Sequence, residues 1–512
     1  MSRDLLLHGG SVRTLDRAAP LRCELAIRDC RVAARSAPRA ERVDLAGCCV
    51  VPGLTDAHVH FPTWSLAQGQ VRLEGASSLD EALARVDDAG ATAAPGGWLR
   101  GVGWRDGEWA DPPTRTALDR VAPDTPVALF SRDGHSLWLN SAALARADSP
   151  LERRGGVVER DGRGELTGVL REEAAWAFRE LHARPSVEEM VAASRHGLRI
   201  AASRGVTAVH DKDGWLGAFE VFSRLHEQDE LTLRVWQSLP WDRVDELRTL
   251  GIRSGFGDDM LRIGYLKGFM DGTLGSATAR LLDGSGVEIT TREQLEEVVR
   301  LAADAHFPVA VHAIGDAANR AALDAFAATR DAWAPAGLRH RIEHAQLLAP
   351  EDVPRFRDLG VAASVQFSHA PSDRDLADRL WEGRPGAYAY RSLIDAGALL
   401  ANGSDAPVEE LDPLAGIVAG VLRTLDERPP WRPEQAVTVE KALRAATVGP
   451  AWLERQESRR GTLAAGMLAD LVVLDRDPLA CPLEELPDVR VLATMVGGRW
   501  THASSESPVD VP

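Results

Sequence analysis

A chain of 512 residues that is 45% hydrophobic and 26% charged is too long for one small domain and too apolar to be disordered throughout, so two or three structural units are expected. Its net charge of −17, without a long basic run, argues against phosphate-backbone binding, and no nucleic-acid partner is expected. The start MSRDLLLHGG lacks a signal-peptide core and no stretch approaches the roughly 18 apolar residues of a membrane span, so a cytoplasmic chain without a membrane partner is expected.

Residues 1–51 read as short strands joined by glycine-containing turns, and residues 455–512 read the same way. Neither end can build a comfortable core alone. One small β-sandwich domain assembled from both ends is the simplest expectation. Between them lie eight apolar segments: VVPGLTDAHVH ending at His60, VTAVH ending at His210, residues 231–239, 262–271, PVAVH ending at His312, 341–346, 361–366, and ALLANGSD ending at Asp405. Helical patterns separate the later ones, with Thr291 and Asp316 as candidate N-caps. Strands alternating with helices predict a parallel sheet, and eight of them predict an α/β fold of the (β/α)8 barrel type, covering residues 52–61 and 186–454. Residues 62–185 are too long for a simple crossover. They are expected to form an insertion after the first barrel strand that acts as a lid over the barrel mouth.

The chemistry collects at the predicted C-terminal ends of these strands. His58 and His60 alternate with Val59 and share one strand face, from which both can chelate one metal. His312, His344 and Asp405 sit at three further strand ends, where a barrel places its active site. Core histidines can account for any one of these positions, but not readily for the whole set. Of 59 basic residues only Lys212, Lys267 and Lys441 are lysines, and coding bias suffices to explain the excess of arginine. Lys267 shares a face with Tyr265, near the end of the fourth strand. Its amine can take up CO2 as a carbamate, turning a cation into a two-oxygen anion able to bridge metals, whereas a guanidinium stays charged. Lys212 reads as a solvated loop residue and Lys441 as a surface charge. The five cysteines show no CxxC spacing and read as free thiols.

These motifs, together with LKGFMDGTLGSATA, VAVHAIGDAANRA, RIEHAQ and NGSDAP, resemble the amidohydrolase superfamily, specifically the YtcJ-like amidohydrolase 3 family, over nearly the whole chain. The resemblance implies a metal-dependent hydrolase related to N-substituted formamide deformylase. Its substrate would be a small amide-type molecule, attacked at a non-peptide carbon–nitrogen bond (amide or N-formyl, the EC 3.5 type) by a metal-activated hydroxide. It assigns His58, His60, carboxylated Lys267, His312, His344 and Asp405 to a binuclear centre, with Asp405 also moving the proton. Two zinc ions are the default cofactors, iron and manganese being alternatives, with CO2 on Lys267. His312-Ala-Ile-Gly-Asp316 departs from the His-Ala-Gly-Glu motif of nucleobase deaminases. A cyclic amide or lactone hydrolase, or a non-catalytic barrel relative, remain the rival readings. His135, His210, Trp104 and Trp138 are candidate substrate contacts, the two tryptophans as walls of an apolar pocket. Asp271 and Asp316 are expected to cap helices or orient ligands. A homo-oligomer is compatible with the chain, though no motif encodes one.

Overall fold

Eight parallel strands follow one another in chain order around a barrel: Leu54–Val59, Val206–Asp211, Arg234–Pro240, Leu261–Phe269, Val309–Ala313, Arg341–His344, Ala362–Val365 and Leu400–Asn402. They are called here the first to eighth barrel strands. The computed structural model describes residues 4–90, 97–104, 109–131, 136–153, 156–275 and 277–509. Closure comes just past the last strand, where Asp405 N–H donates to the His58 carbonyl (2.7 Å) and His60 N–H to that of Ala406 (2.9 Å). The fifth to eighth strands are buried along their whole length, as expected of strands covered on both faces. Helices return the chain between strands. Thr291 caps Arg292–Asp304 in a full capping box with Gln294. Gly315, not Asp316, is the N-cap of Asp316–Ala328. The Asp316 carboxylate instead accepts the Leu282 N–H at 2.8 Å, fastening the loop after the fourth strand.

The two chain ends share one sheet. Its order is Arg499–Ala503, Val491–Val496, Leu471–Leu474, Cys49–Pro52, Leu5–Arg13, Leu21–Arg28 and Arg31–Ala33, with Glu41–Asp44 also paired to Leu5–Arg13. A small β-sandwich built from both chain ends is the expectation, and strands from both ends do assemble here, hydrogen-bonded into one continuous sheet. The strand Leu5–Arg13 supplies the corner, since Leu5–His8 pair with Glu41–Asp44 while Ser11 and Val12 pair with Cys49 and Val50. Gly9 and Gly10 lie between the halves, and a Cβ on Gly10 would meet the Cys48 carbonyl oxygen at 2.3 Å. Leu7, Val12, Leu25, Val50, Leu471 and Met495 fill the core of this domain. The strand Cys49–Pro52 runs straight on into the first barrel strand. All five cysteines are free, and among the described residues no helix is long and apolar enough to cross a membrane.

Ser65–Ala193 form a second compact unit. Its six-stranded sheet runs Gly156–Arg160, Leu166–Glu172, Ser136–Leu139, Val127–Ser131, Leu99–Trp104 and Val71–Arg72. One face packs on the helix Leu79–Gly90 around Trp104, Trp109 and Trp138.

Candidate active site

Asp405 is the hub. It is 8% exposed and lies where the eighth strand breaks, with φ +61°, a left-handed backbone that a non-glycine residue seldom adopts. His344 ends the sixth strand with φ +73° in the same region. Two ligand-type residues thus carry backbone strain, which persists only where surrounding structure enforces it. Strand alternation brings His58 and His60 to the same place. Their Nε2 atoms stand 3.1 and 3.5 Å from Asp405 Oδ1. On the other side of the carboxylate, His344 Nδ1 and His369 Nε2 each stand 3.9 Å from Oδ2. The His312 ring lies 4.6 Å from that of His344.

Each predicted histidine ligand meets an oxygen acceptor with one ring nitrogen. His58 Nδ1 meets Glu343 Oε2 at 2.8 Å, His60 Nδ1 meets Asp213 Oδ1 at 2.7 Å, and His344 Nδ1 meets Gln366 Oε1 at 2.9 Å. His312 Nε2 stands 3.0 Å from the Gly272 carbonyl. Carboxylate and carbonyl oxygens accept hydrogen, so the proton of each neutral ring sits on the held nitrogen and the lone pair on the other. Burial pushes the pKa of His58 and His344 down, and that of His312 to about 3, favouring the neutral rings that ligate metals. His60 behaves differently. Burial opposes its charge, but hydrogen bonds with Asp213 and Asp405 outweigh this and raise it to about 10. Burial would raise Asp405, yet the facing imidazoles of His58, His60 and His344 hold it well below the usual carboxylate range. Imidazoles around one ionised carboxylate are donors that suit a divalent cation, and His58, His60 and Asp405 form one group close enough to hold it.

Lys267 is 2% exposed, on the inner face of the fourth strand. Its Nζ donates to the Gly268 carbonyl at 3.1 Å and lies 3.9 Å from the Phe269 ring centroid. Burial lowers its pKa to about 8 despite the attraction of Glu343 and Asp405, which raises the share of neutral amine near neutral pH while the ammonium still predominates.

Lys212 departs from its reading as a solvated loop residue. It is 1% exposed and donates to Glu343 Oε1 at 2.7 Å and Tyr265 Oη at 2.8 Å. The sequence Asp211-Lys212-Asp213-Gly214 looks like a turn, but its lysine turns into the barrel and its acids face the first strand: Asp211 accepts the Phe61 N–H and Asp213 the His60 imidazole. Glu343 also accepts Arg341 Nε at 2.9 Å. Sequence reasoning missed Glu343, Lys212, Asp213 and His369. The available signals were a lysine kept in an arginine-rich chain and a glutamate between Arg341 and the predicted ligand His344. Asp271 accepts the N–H groups of Ile314 and Gly315, which steadies the backbone just after His312.

Other candidates stand apart. His210 is not at the mouth. It is wholly buried between Glu454 (2.8 Å from Nε2) and Arg341 (2.7 Å from Nδ1), and Glu454 in turn pairs with Arg460. Trp104 and Trp138 are 0% exposed in the core of the second unit, and their indole N–H groups donate to the Leu129 and Thr114 carbonyls. Neither has a surface to offer a substrate. Asn140 caps the helix Ser141–Leu144. His135 lies outside the described residues.

An exposed aromatic pair does occur beside the histidine cluster. Phe269 lies 5.4 Å from His312 and 5.5 Å from Trp215, and the two aromatics are 37% and 43% exposed.

The family model described as "Amidohydrolase family" matches residues 41–502. The chain belongs to the amidohydrolase family. Putative amidohydrolase YtcJ of Bacillus subtilis (strain 168) is 31% identical, over 91% of this chain and 92% of its own. N-substituted formamide deformylase of Arthrobacter pascens is 29% identical, over 97% and 98%. Among solved structures, an uncharacterized metal-dependent hydrolase from Pyrococcus furiosus superposes with a TM-score of 0.79 at 28% identity, covering 93% of this amidohydrolase and 100% of that chain. These similarities place the amidohydrolase among metal-dependent hydrolases.

Proposed function

We propose that this amidohydrolase cleaves a non-peptide carbon–nitrogen bond, of amide or N-formyl type, in a small molecule bearing an apolar substituent. The observation that carries the reading is the convergence of His58, His60 and His344 on buried Asp405. The residues that would hold metal are His58, His60 and Asp405 for one ion, and His312, His344 and carboxylated Lys267 for a second. A divalent ion bound there, zinc by preference, supplies Lewis acidity and lowers the pKa of a water from about 15.7 toward about 7. Asp405 accepts the proton of the attacking water and delivers it to the departing nitrogen, so that the amine leaves neutral. Glu343 and Asp213 keep His58 and His60 in the ligating tautomer. Lys267 becomes a carbamate when its neutral amine adds to CO2, forming an N–C bond and releasing one proton. Trp215 and Phe269 form an apolar shelf for the substituent. The similarity to a formamide deformylase supports the choice of N-formyl and N-acyl amines over other amides.

The test is a panel of N-formyl amines, N-acyl amines, cyclic amides and lactones, run on purified protein with its metal quantified. Hydrolysis of formyl or acyl amines, abolished by chelation and restored by metal, is expected. A metal-loaded protein that turns over lactones alone, or nothing on the panel, overturns the reading. The native chain should be heavier by one carboxyl group on Lys267, lost on acid treatment, and Lys267→Arg should lack it and hold less metal. Full metal and full activity in that variant refute the carbamate.

A further inference from the structure

Among the described residues five imidazoles gather around Asp405, and one of them faces an amide nitrogen where the others face oxygen. His58, His60, His344 and His312 each meet an oxygen acceptor outside the cluster with one ring nitrogen. His369 stacks on His344 with ring centroids 6.2 Å apart and planes within 6°. It is 5% exposed, its Nε2 stands 3.9 Å from Asp405 Oδ2, and among the described residues this Nε2 has no hydrogen-bond partner. Its other nitrogen, Nδ1, faces the Gln346 side-chain amide nitrogen at 3.2 Å. That amide is oriented from behind. Asp373 Oδ2 lies 3.5 Å from the same Gln346 nitrogen and accepts the Tyr388 hydroxyl at 2.6 Å. A flipped amide would aim its oxygen at a carboxylate, acceptor against acceptor. With the N–H group of Gln346 facing it, His369 Nδ1 must accept, and a neutral imidazole that accepts at Nδ1 carries its hydrogen on Nε2.

We propose that His369 is a hydrogen-bond donor to the substrate, presenting Nε2–H to the carbonyl oxygen as negative charge builds there, and is not a metal ligand. Gln346 and Asp373 are the positioning residues that hold this tautomer. The proposal rests on the hydrolase reading for the identity of the acceptor. A preorganised donor of this kind acts mainly on the transition state, where removing one donor typically costs about 10²–10³-fold in kcat. The same three residues, His344, His369 and Asp405, are also close enough to grip a cation, but that use needs a lone pair on the nitrogen that here carries hydrogen.

The experiment compares the wild-type holoenzyme with His369→Ala, His369→Asn and Gln346→Glu. Three readouts are taken: metal per chain, kcat and KM, and the ¹⁵N tautomer signal of His369, assigned by its loss in His369→Ala. Expected are wild-type metal content in all variants and an Nε2-protonated ring in the wild type. His369→Ala should lose about 10²–10³-fold in kcat with KM little changed. His369→Asn, whose amide can still donate, should recover part of the loss. Gln346→Glu places an acceptor behind the ring, so it should move the hydrogen to Nδ1 and lower kcat although position 369 is untouched. Loss of metal in His369→Ala overturns the proposal in favour of a ligand, as does an Nδ1-protonated wild-type ring or an unchanged kcat. A wild type inactive on the whole panel fails the hydrolase reading instead. In that case the tautomer and metal measurements still decide between donor and ligand.

Discussion

Glu343→Gln removes one oxygen's charge from the barrel interior and should disturb both stability and metal binding. The carboxylate is 0% exposed and fully committed: Oε1 faces Lys212 at 2.7 Å and Arg341 at 2.9 Å, and Oε2 faces His58 Nδ1 at 2.8 Å. A glutamine has one oxygen for these two duties. If it faces the cations, its NH2 confronts His58 Nδ1, and the imidazole must move its hydrogen to Nε2 and lose the inward lone pair. If it faces His58, its NH2 confronts two cationic donors. Breaking a buried ion pair by removing one partner costs about 3–5 kcal/mol. Losing the outer partner of a metal-binding histidine lowers affinity about 10–100-fold, or about 1.4–2.7 kcal/mol. Denaturant unfolding of the metal-free protein reads the first quantity, and competition with a chromophoric chelator reads the second. Metal affinity within about threefold of wild type, with stability lowered by less than about 1 kcal/mol, would refute the assignment of Glu343 as both counter-ion and tautomer lock.

Three further outcomes follow from particular contacts. Trp215→Ala should lower kcat/KM about tenfold for substrates with an aromatic or long alkyl substituent and leave short amides unaffected; equal effects on both would remove the apolar shelf. Trp104→Ala should destabilise the second unit by about 3–5 kcal/mol in calorimetry, while kcat/KM at a temperature where it stays folded should not change. Burial raises the Glu454 pKa, but Arg460 and His210 outweigh it and bring the carboxylate to about 2, below its ordinary 4.5. Because the folded value is depressed, its stabilisation is complete above pH 4.5 and is lost as pH falls from 4.5 to 2, about 3 kcal/mol in all. Glu454→Gln should therefore flatten that part of the stability–pH curve, and an unchanged acid limb would contradict the pairing.

The barrel was readable because its signals are local. Eight apolar segments of strand length recur with helical patterns between them, and ligand-type residues fall at their ends, where alternation decides which share a face. His58 and His60 follow from period two alone, and Lys267 from its place beside Tyr265. Residues off the strands escaped. His369 sits in a short helix after the seventh strand, where no periodicity marks it. Lys212 was misread because Asp-Lys-Asp-Gly has the composition of a surface turn, whereas this turn folds over the strand ends and inserts its lysine among Glu343 and Tyr265. Trp104 and Trp138 were misread because a tryptophan's sequence neighbours do not say whether its ring faces a cavity or a core.

The sequence by itself determined the residue types at the strand ends, and with them the family and a set of candidate metal donors. The tertiary structure alone decided which nitrogen of each histidine meets an acceptor. A neutral imidazole is a donor on one side and an acceptor on the other, and the partner of its outer nitrogen settles which is which. For His58 and His60 those partners, Glu343 and Asp213, lie 285 and 153 residues away along the chain. For His369 the partner is an amide whose orientation depends on a third residue, Asp373. No local pattern carries that information, because it exists only once the barrel has brought those strand ends together.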